Sequence, residues 1–164
     1  MKEKENALLR YGSFCILLGG AAANLISIFN GAAAMLAMLA MDESTLNSLE
    51  AYAKQESGGI FGSGEVVGVA NAVTIIVIAF AVVGLTVNVV VGMMGLSRSK
   101  KPQKYKFFLG WGIALLAAGF FSMGQVISLR GIFAAAGGIA GPVMYIIGGI
   151  QQNKAANADD FLDA

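Results

Sequence analysis

Among the amide side chains in the uncharged runs of this 164-residue chain, which include Asn30 and Asn71, three stand out: Asn24, Asn88 and Gln125. Each carries both donors and an acceptor. In hydrocarbon such a group must find a partner, and a hydrogen bond across helices contributes about 0.6–2 kcal/mol. Interhelical bonding is therefore the first chemistry these residues suggest, and a path lined for an uncharged solute is the second. No Asp, Glu, Lys, Arg or His lies inside the same runs. Proton relays, ion-coupled carriers and voltage sensors normally need one, and general acid–base catalysis has no candidate there. The chain has no His, and Cys15 is its only cysteine. An internal disulfide and a cysteine zinc cluster are thereby excluded. The glycine-rich strings "GGIFGSG" and "GLSRSK" lack the strand and the lysine pattern of a phosphate loop. The reading is of a non-enzymatic protein without a cofactor.

A second pattern is one of small residues. Cys15, Gly19, Ala23, Ser27 and Gly31 recur every four positions. Gly84, Asn88 and Gly92 do the same further on, followed by Gly110, Ala114, Ala118 and Ser122, and then Gly137 and Gly141. Lipid does not drive helices together by hydrophobicity, whereas small residues at this spacing let backbones approach. These stripes predict helix packing within one bundle, or a face that joins copies of the chain. Pro142 removes a backbone donor and predicts a kink after Gly141.

The elements that must position these residues follow from the charges. Hydrophobic residues make up 57% of the chain and charged residues only 13%, against about a quarter charged in a soluble domain. The charges are clustered, which leaves uncharged runs at 11–41, 66–97, 107–129 and 131–153. Each is long enough to cross a hydrocarbon core of about 30 Å. Arg98, Lys100, Lys101, Lys104 and Lys106 gather five of the eleven basic residues between the second and third runs. Cytoplasmic loops are enriched in Lys and Arg. That loop and the tail with Lys2, Lys4 and Arg10 therefore belong inside, and the acidic 42–65 segment outside. The basic loop also offers contacts to anionic lipid headgroups, at about 1 kcal/mol per charge. Net charge is only +1, and nothing points to nucleic acid.

The expected architecture is all-α. It is a single transmembrane domain over 1–164, an integral membrane four-helix bundle with both termini inside. Spans are predicted at about 13–40, 66–96, 107–129 and 132–151, with a tight turn at Arg130 and Gly131. The outer loop is 42–65, the basic cytoplasmic loop 97–106 and the cytoplasmic tail 152–164. Within the outer loop, "DESTLNSLEAYAKQESGG" predicts a short extracytoplasmic helix capped by Ser44 or Thr45 and ended by Gly58-Gly59. The first run is too long for the core of a cleaved leader and is expected to persist as a signal anchor.

Three of these features carry a resemblance: the long outer segment, the basic turn "SRSKKPQKYK" and the glycine-rich last helix ending "IIGGIQQNK". Together they resemble small bacterial four-span membrane proteins of unassigned function, whose topology is similar to that of claudins. The resemblance implies residence in the bacterial cytoplasmic membrane. The outer Trp and paired Cys of claudins have no counterpart, since Trp111 is the only Trp and lies in the third run. A paracellular-pore role is therefore not implied. Residues 66–125 also resemble pilin-like subunits of secretion systems. The expected role is a scaffold or accessory subunit, with the bilayer and either copies of itself or other membrane proteins as partners. A self-assembling secretion subunit and a small channel for an uncharged solute are the alternatives.

Overall fold

The computed structural model describes residues 6–56, 58–59, 65–121 and 128–162. Among the described residues the regular structure is helical, with no strand. We label the helices α1 (Ala7–Leu39), α2 (Glu43–Glu56), α3 (Glu65–Arg98), α4 (Tyr105–Phe121) and α5 (129–162). Three of them, α1, α3 and α5, are long and apolar enough to cross a membrane. Helix α3 has 34 residues, a length of about 50 Å at 1.5 Å per residue. Helix α4 is equally apolar but has only 17 residues.

Local chemistry sets the ends. The Asn6 side-chain oxygen accepts hydrogen bonds from the backbone N–H groups of Leu8 and Leu9, at 3.1 and 3.4 Å, and so starts α1. Helix α2 is capped at Asp42, two residues before Ser44. The Asp42 carboxylate accepts from Thr45 N at 3.3 Å and from the Ser44 hydroxyl at 2.6 Å. Ser44 thus supports the cap instead of providing it. A carboxylate is the better cap because it also meets the positive end of the helix. At the other end Gly58 and Gly59 have φ of 62° and 87°, and Gly59 N–H donates to Lys54 O at 2.9 Å. This is the left-handed stop that two glycines permit.

The last helix also departs from expectation. It begins at Leu129, where Ser128 Oγ accepts from Gly131 N–H at 3.0 Å. Arg130 and Gly131 therefore lie in its first turn, not in a loop; α4 is described as far as Phe121, and the rest of the span expected at 107–129 lies largely outside the described residues. A hydroxyl at the cap position outweighed the charge of Arg130 as the boundary signal.

Two helices contain a wide π-type turn: Cys15–Gly20 in α1 and Ala136–Ala140 in α5. The second directly precedes Pro142. Proline has no N–H for the carbonyl four residues back, and a wider turn is one way a helix absorbs that loss.

The chain divides into two compact units, one of residues 1–25 and 83–164 and one of residues 26–82. In the second unit Gly31 faces Ile78, where a Cβ would approach Ile78 Cγ1 to 2.7 Å. Ala81 and Ser27 are its buried small residues, and Thr74 Oγ1 donates to Ala70 O at 2.8 Å within its own helix. No residue of α2 is buried. The first unit holds the principal core of Leu9, Ile16, Val91, Phe108 and Tyr145.

Candidate functional site

In the first unit the helices meet through glycines. Where α1 crosses α5, a Cβ on Gly19 would fall 2.9 Å from Gly137 N, and one on Gly137 would strike the backbone of Gly20. Each of these glycines belongs to a π-type turn. The two irregular turns therefore face each other across the crossing. Gly12 and Gly141 repeat the contact one level along: a Cβ on Gly12 would lie 3.0 Å from Gly141 O. Backbones this close gain dispersion contacts that any side chain would prevent.

The predicted amides take part in the same packing. Asn24 Nδ2 donates to Gly20 O at 2.8 Å within α1, and its amide covers Gly84 of α3, where a Cβ would come 2.8 Å from Asn24 Oδ1. The Asn88 amide covers Gly20, at 2.6 Å from a Cβ built there. Gly92 meets Leu17, whose Cβ would lie 2.7 Å away. Asn24 and Asn88 thus form a reciprocal pair of amide-on-glycine contacts between α1 and α3. Gln125 and Ser122 lie outside the described residues.

For α4 the packing face differs from the predicted stripe. Gly110, Ala114 and Ala118 are exposed, and a Cβ on Gly110 would meet nothing within 4 Å. The contacts come instead from Gly112, where a Cβ would fall 2.8 Å from Ile146 Cγ1, and from Gly119, which lies against the backbone of Gly138. Two residues turn a helix by about 200°, so the choice between Gly110 and Gly112 selects opposite faces. In so glycine-rich a helix, spacing offers both.

A string of aromatic and polar groups ties all four helical segments of this unit together. The Arg98 guanidinium sits 4.3 Å from the centre of the Phe107 ring. Phe107 meets Phe108 edge-on at 5.3 Å, and Phe108 meets Tyr145 edge-on at 5.0 Å. The Tyr145 hydroxyl lies 2.9 Å from Ser13 Oγ and donates to Val91 O at 3.2 Å. Ser13 Oγ also contacts Leu9 O at 2.7 Å. Gly95 makes room for the two hydroxyls, which a Cβ there would overlap. At the end of α3, Ser99 O accepts from Gln152 Nε2 at 3.0 Å and from Asn6 N–H at 3.4 Å. Asn6 Nδ2 in turn donates to Gly148 O and to Gln151 Oε1, both at 3.3 Å. Gln152 Oε1 is buried without a hydrogen-bond partner. Sequence reading missed Ser13, Ser99, Tyr145 and Gln152. A lone Tyr within a glycine-rich apolar run was the available signal for the central one.

The basic residues gather beside this string. Pro102–Lys104 forms a tight turn, with Lys104 N–H donating to Lys101 O at 3.0 Å. Lys100, Lys101, Lys104 and Lys106 are exposed, and Arg98 is half-buried on Phe107. Along α4, Lys106, Phe107, Gly110, Trp111 and Ala114 line an open groove of about 290 Å³. No protein-family model, curated protein or solved structure matches the chain.

Proposed function

We propose that the chain is a non-enzymatic, multi-pass integral membrane protein acting as a scaffold or accessory subunit of a membrane complex. It crosses four times, with both termini and the 97–106 loop on the cytoplasmic side of a bacterial inner membrane. Helix α4 is the fourth crossing, with the basic turn of Pro102–Lys104 at its cytoplasmic end. One observation carries the reading. Of the most apolar stretch of α3 only 6% is buried, against 39% for α1 and 28% for α5. Val69, Val73, Ile76, Phe80 and Val83 recur at alternating spacings of four and three and are each 46–74% exposed. That is the seam spacing of helices that pack side by side. Lipid solvates such a face, and a second membrane helix packs on it. The amides Asn24 and Asn88 are occupied by glycine packing, which favours the scaffold over a solute path.

The test is crosslinking. In a Cys15→Ser background, Val73→Cys and Phe80→Cys are expected to crosslink in native membranes to a copy of the chain or to a copurifying membrane protein. Native mass measurement in detergent should show the same species. A monomer that crosslinks to nothing overturns the scaffold role. Material that stays monodisperse in plain buffer overturns the membrane reading itself.

A further inference from the structure

We propose that the groove on α4 is a binding site for one anionic phospholipid, with its headgroup phosphate at Lys106 and an acyl chain laid over Gly110 and Ala114. The inference rests on the membrane reading above and adds a specific ligand to it. Helical spacing places Lys106, Gly110 and Ala114 on one line, four residues apart, with Phe107 and Trp111 beside them. Gly110 gives the groove its floor, because the side chain it lacks would meet nothing within 4 Å. The groove is therefore open and not filled by any described residue. Trp111 is 37% exposed, so it presents an apolar wall to a neighbouring chain.

Charge identifies the occupant. The mouth of the groove lies at the N-terminal end of a 17-residue helix whose first turn has no acidic residue, so backbone N–H groups add positive potential to Lys106. Arg98 stacks on the ring of Phe107, one of the lining residues, with its guanidinium 4.3 Å from the ring centre. Residues 6–25, 83–121 and 128–157 contain no Asp or Glu at all. A groove with an apolar floor, an aromatic wall and Lys106 at its end matches an acyl chain joined to a phosphate. A zwitterionic lipid brings its own cation to the same mouth, so the site prefers a net negative headgroup.

Trp111 is the chain's only tryptophan, so its fluorescence reports on the groove directly. The protein is reconstituted in phosphatidylcholine vesicles containing a minor fraction of acyl-brominated phosphatidylglycerol or acyl-brominated phosphatidylcholine. Quenching by the anionic lipid is expected to reflect about fivefold tighter occupancy, the contribution of one basic residue near the surface. Lys106→Gln should bring the two lipids to parity. Lys100→Gln combined with Lys101→Gln should retain most of the preference. Gly110→Leu fills the floor and should weaken quenching by both lipids, while its unopposed position keeps the fold intact. Equal quenching by the two lipids in the unaltered protein overturns the proposal. So does an unchanged preference in Lys106→Gln, or one lost equally in the Lys100/Lys101 variant, since either reduces the effect to diffuse charge. Quenching unchanged by Gly110→Leu also overturns it. In all these outcomes the protein inserts, so the membrane reading survives; failure to insert would remove that reading instead.

Discussion

Tyr145 and Ser13, 132 positions apart in the chain, hold their hydroxyl oxygens 2.9 Å from one another in the buried centre of the larger unit. Two hydroxyl protons serve three contacts there, because Leu9 O and Val91 O also lie within reach. The arrangement joins α1, α3 and α5 at one point, and Phe108 joins α4 to it through the Tyr145 ring.

Tyr145→Phe keeps the ring and removes the hydroxyl. It should cost about 1 kcal/mol, the net worth of an ordinary hydrogen bond. Ser13→Ala should cost about the same. The double variant should cost less than the sum, since both remove one shared contact. Gly95→Ala should be worse than either, because the added methyl overlaps both hydroxyls, and Tyr145→Phe should partly rescue it. Denaturation of the detergent-solubilised protein measures all five variants; strict additivity of Tyr145→Phe and Ser13→Ala would contradict the contact.

The glycine crossing makes a contrasting prediction. Gly137→Ala drives a methyl into the backbone of Gly20, and Gly119→Ala drives one into Gly138. Each should cost about 1–3 kcal/mol or more, since backbone cannot rotate aside. Gly110→Ala should stay within about 0.5 kcal/mol. Thermal melts in one detergent rank the three, and a costly Gly110→Ala would refute the assignment of faces on α4.

Helix α2 should be pH-sensitive at its start. The Ser44 hydroxyl, and then Thr45, hold the Asp42 carboxyl below its ordinary value. A depressed folded value means that the cap's contribution is complete above the unfolded carboxylate value, near 3.8. It is lost as the pH falls through the lower folded value. Amide exchange at residues 45–47 should therefore accelerate in acid. Asp42→Asn should keep a cap but flatten the pH dependence, and exchange rates identical in both proteins at every pH would refute the cap.

The orientation is checked by labelling. Gln55 and Lys100 are both exposed, so a cysteine at either is reachable from its own side. In a Cys15→Ser background, a membrane-impermeant maleimide applied to intact cells should label Gln55→Cys and not Lys100→Cys. The reverse pattern would invert the topology.

Sequence alone determined the solvent and the element type. Long runs without a charge predicted four membrane-crossing helices, because backbone in hydrocarbon has to satisfy its own hydrogen bonds; three of the described helices are long and apolar enough to cross. The stop at Gly58-Gly59 was legible for the same kind of reason, since a left-handed turn requires glycine. Boundaries set by a hydroxyl or a carboxylate, at Asp42 and Ser128, were less legible because several neighbouring residues offered similar groups. Only the tertiary structure decided which glycines meet. The membrane-length helices carry apolar residues on all faces over much of their length, and hydrophobic periodicity then gives little to orient them. Steric fit selects the face instead. It placed Gly112 and Gly119 inward and left Gly110 and Ala114 outward. It also brought Tyr145 to Ser13, a meeting that no spacing along the chain encodes.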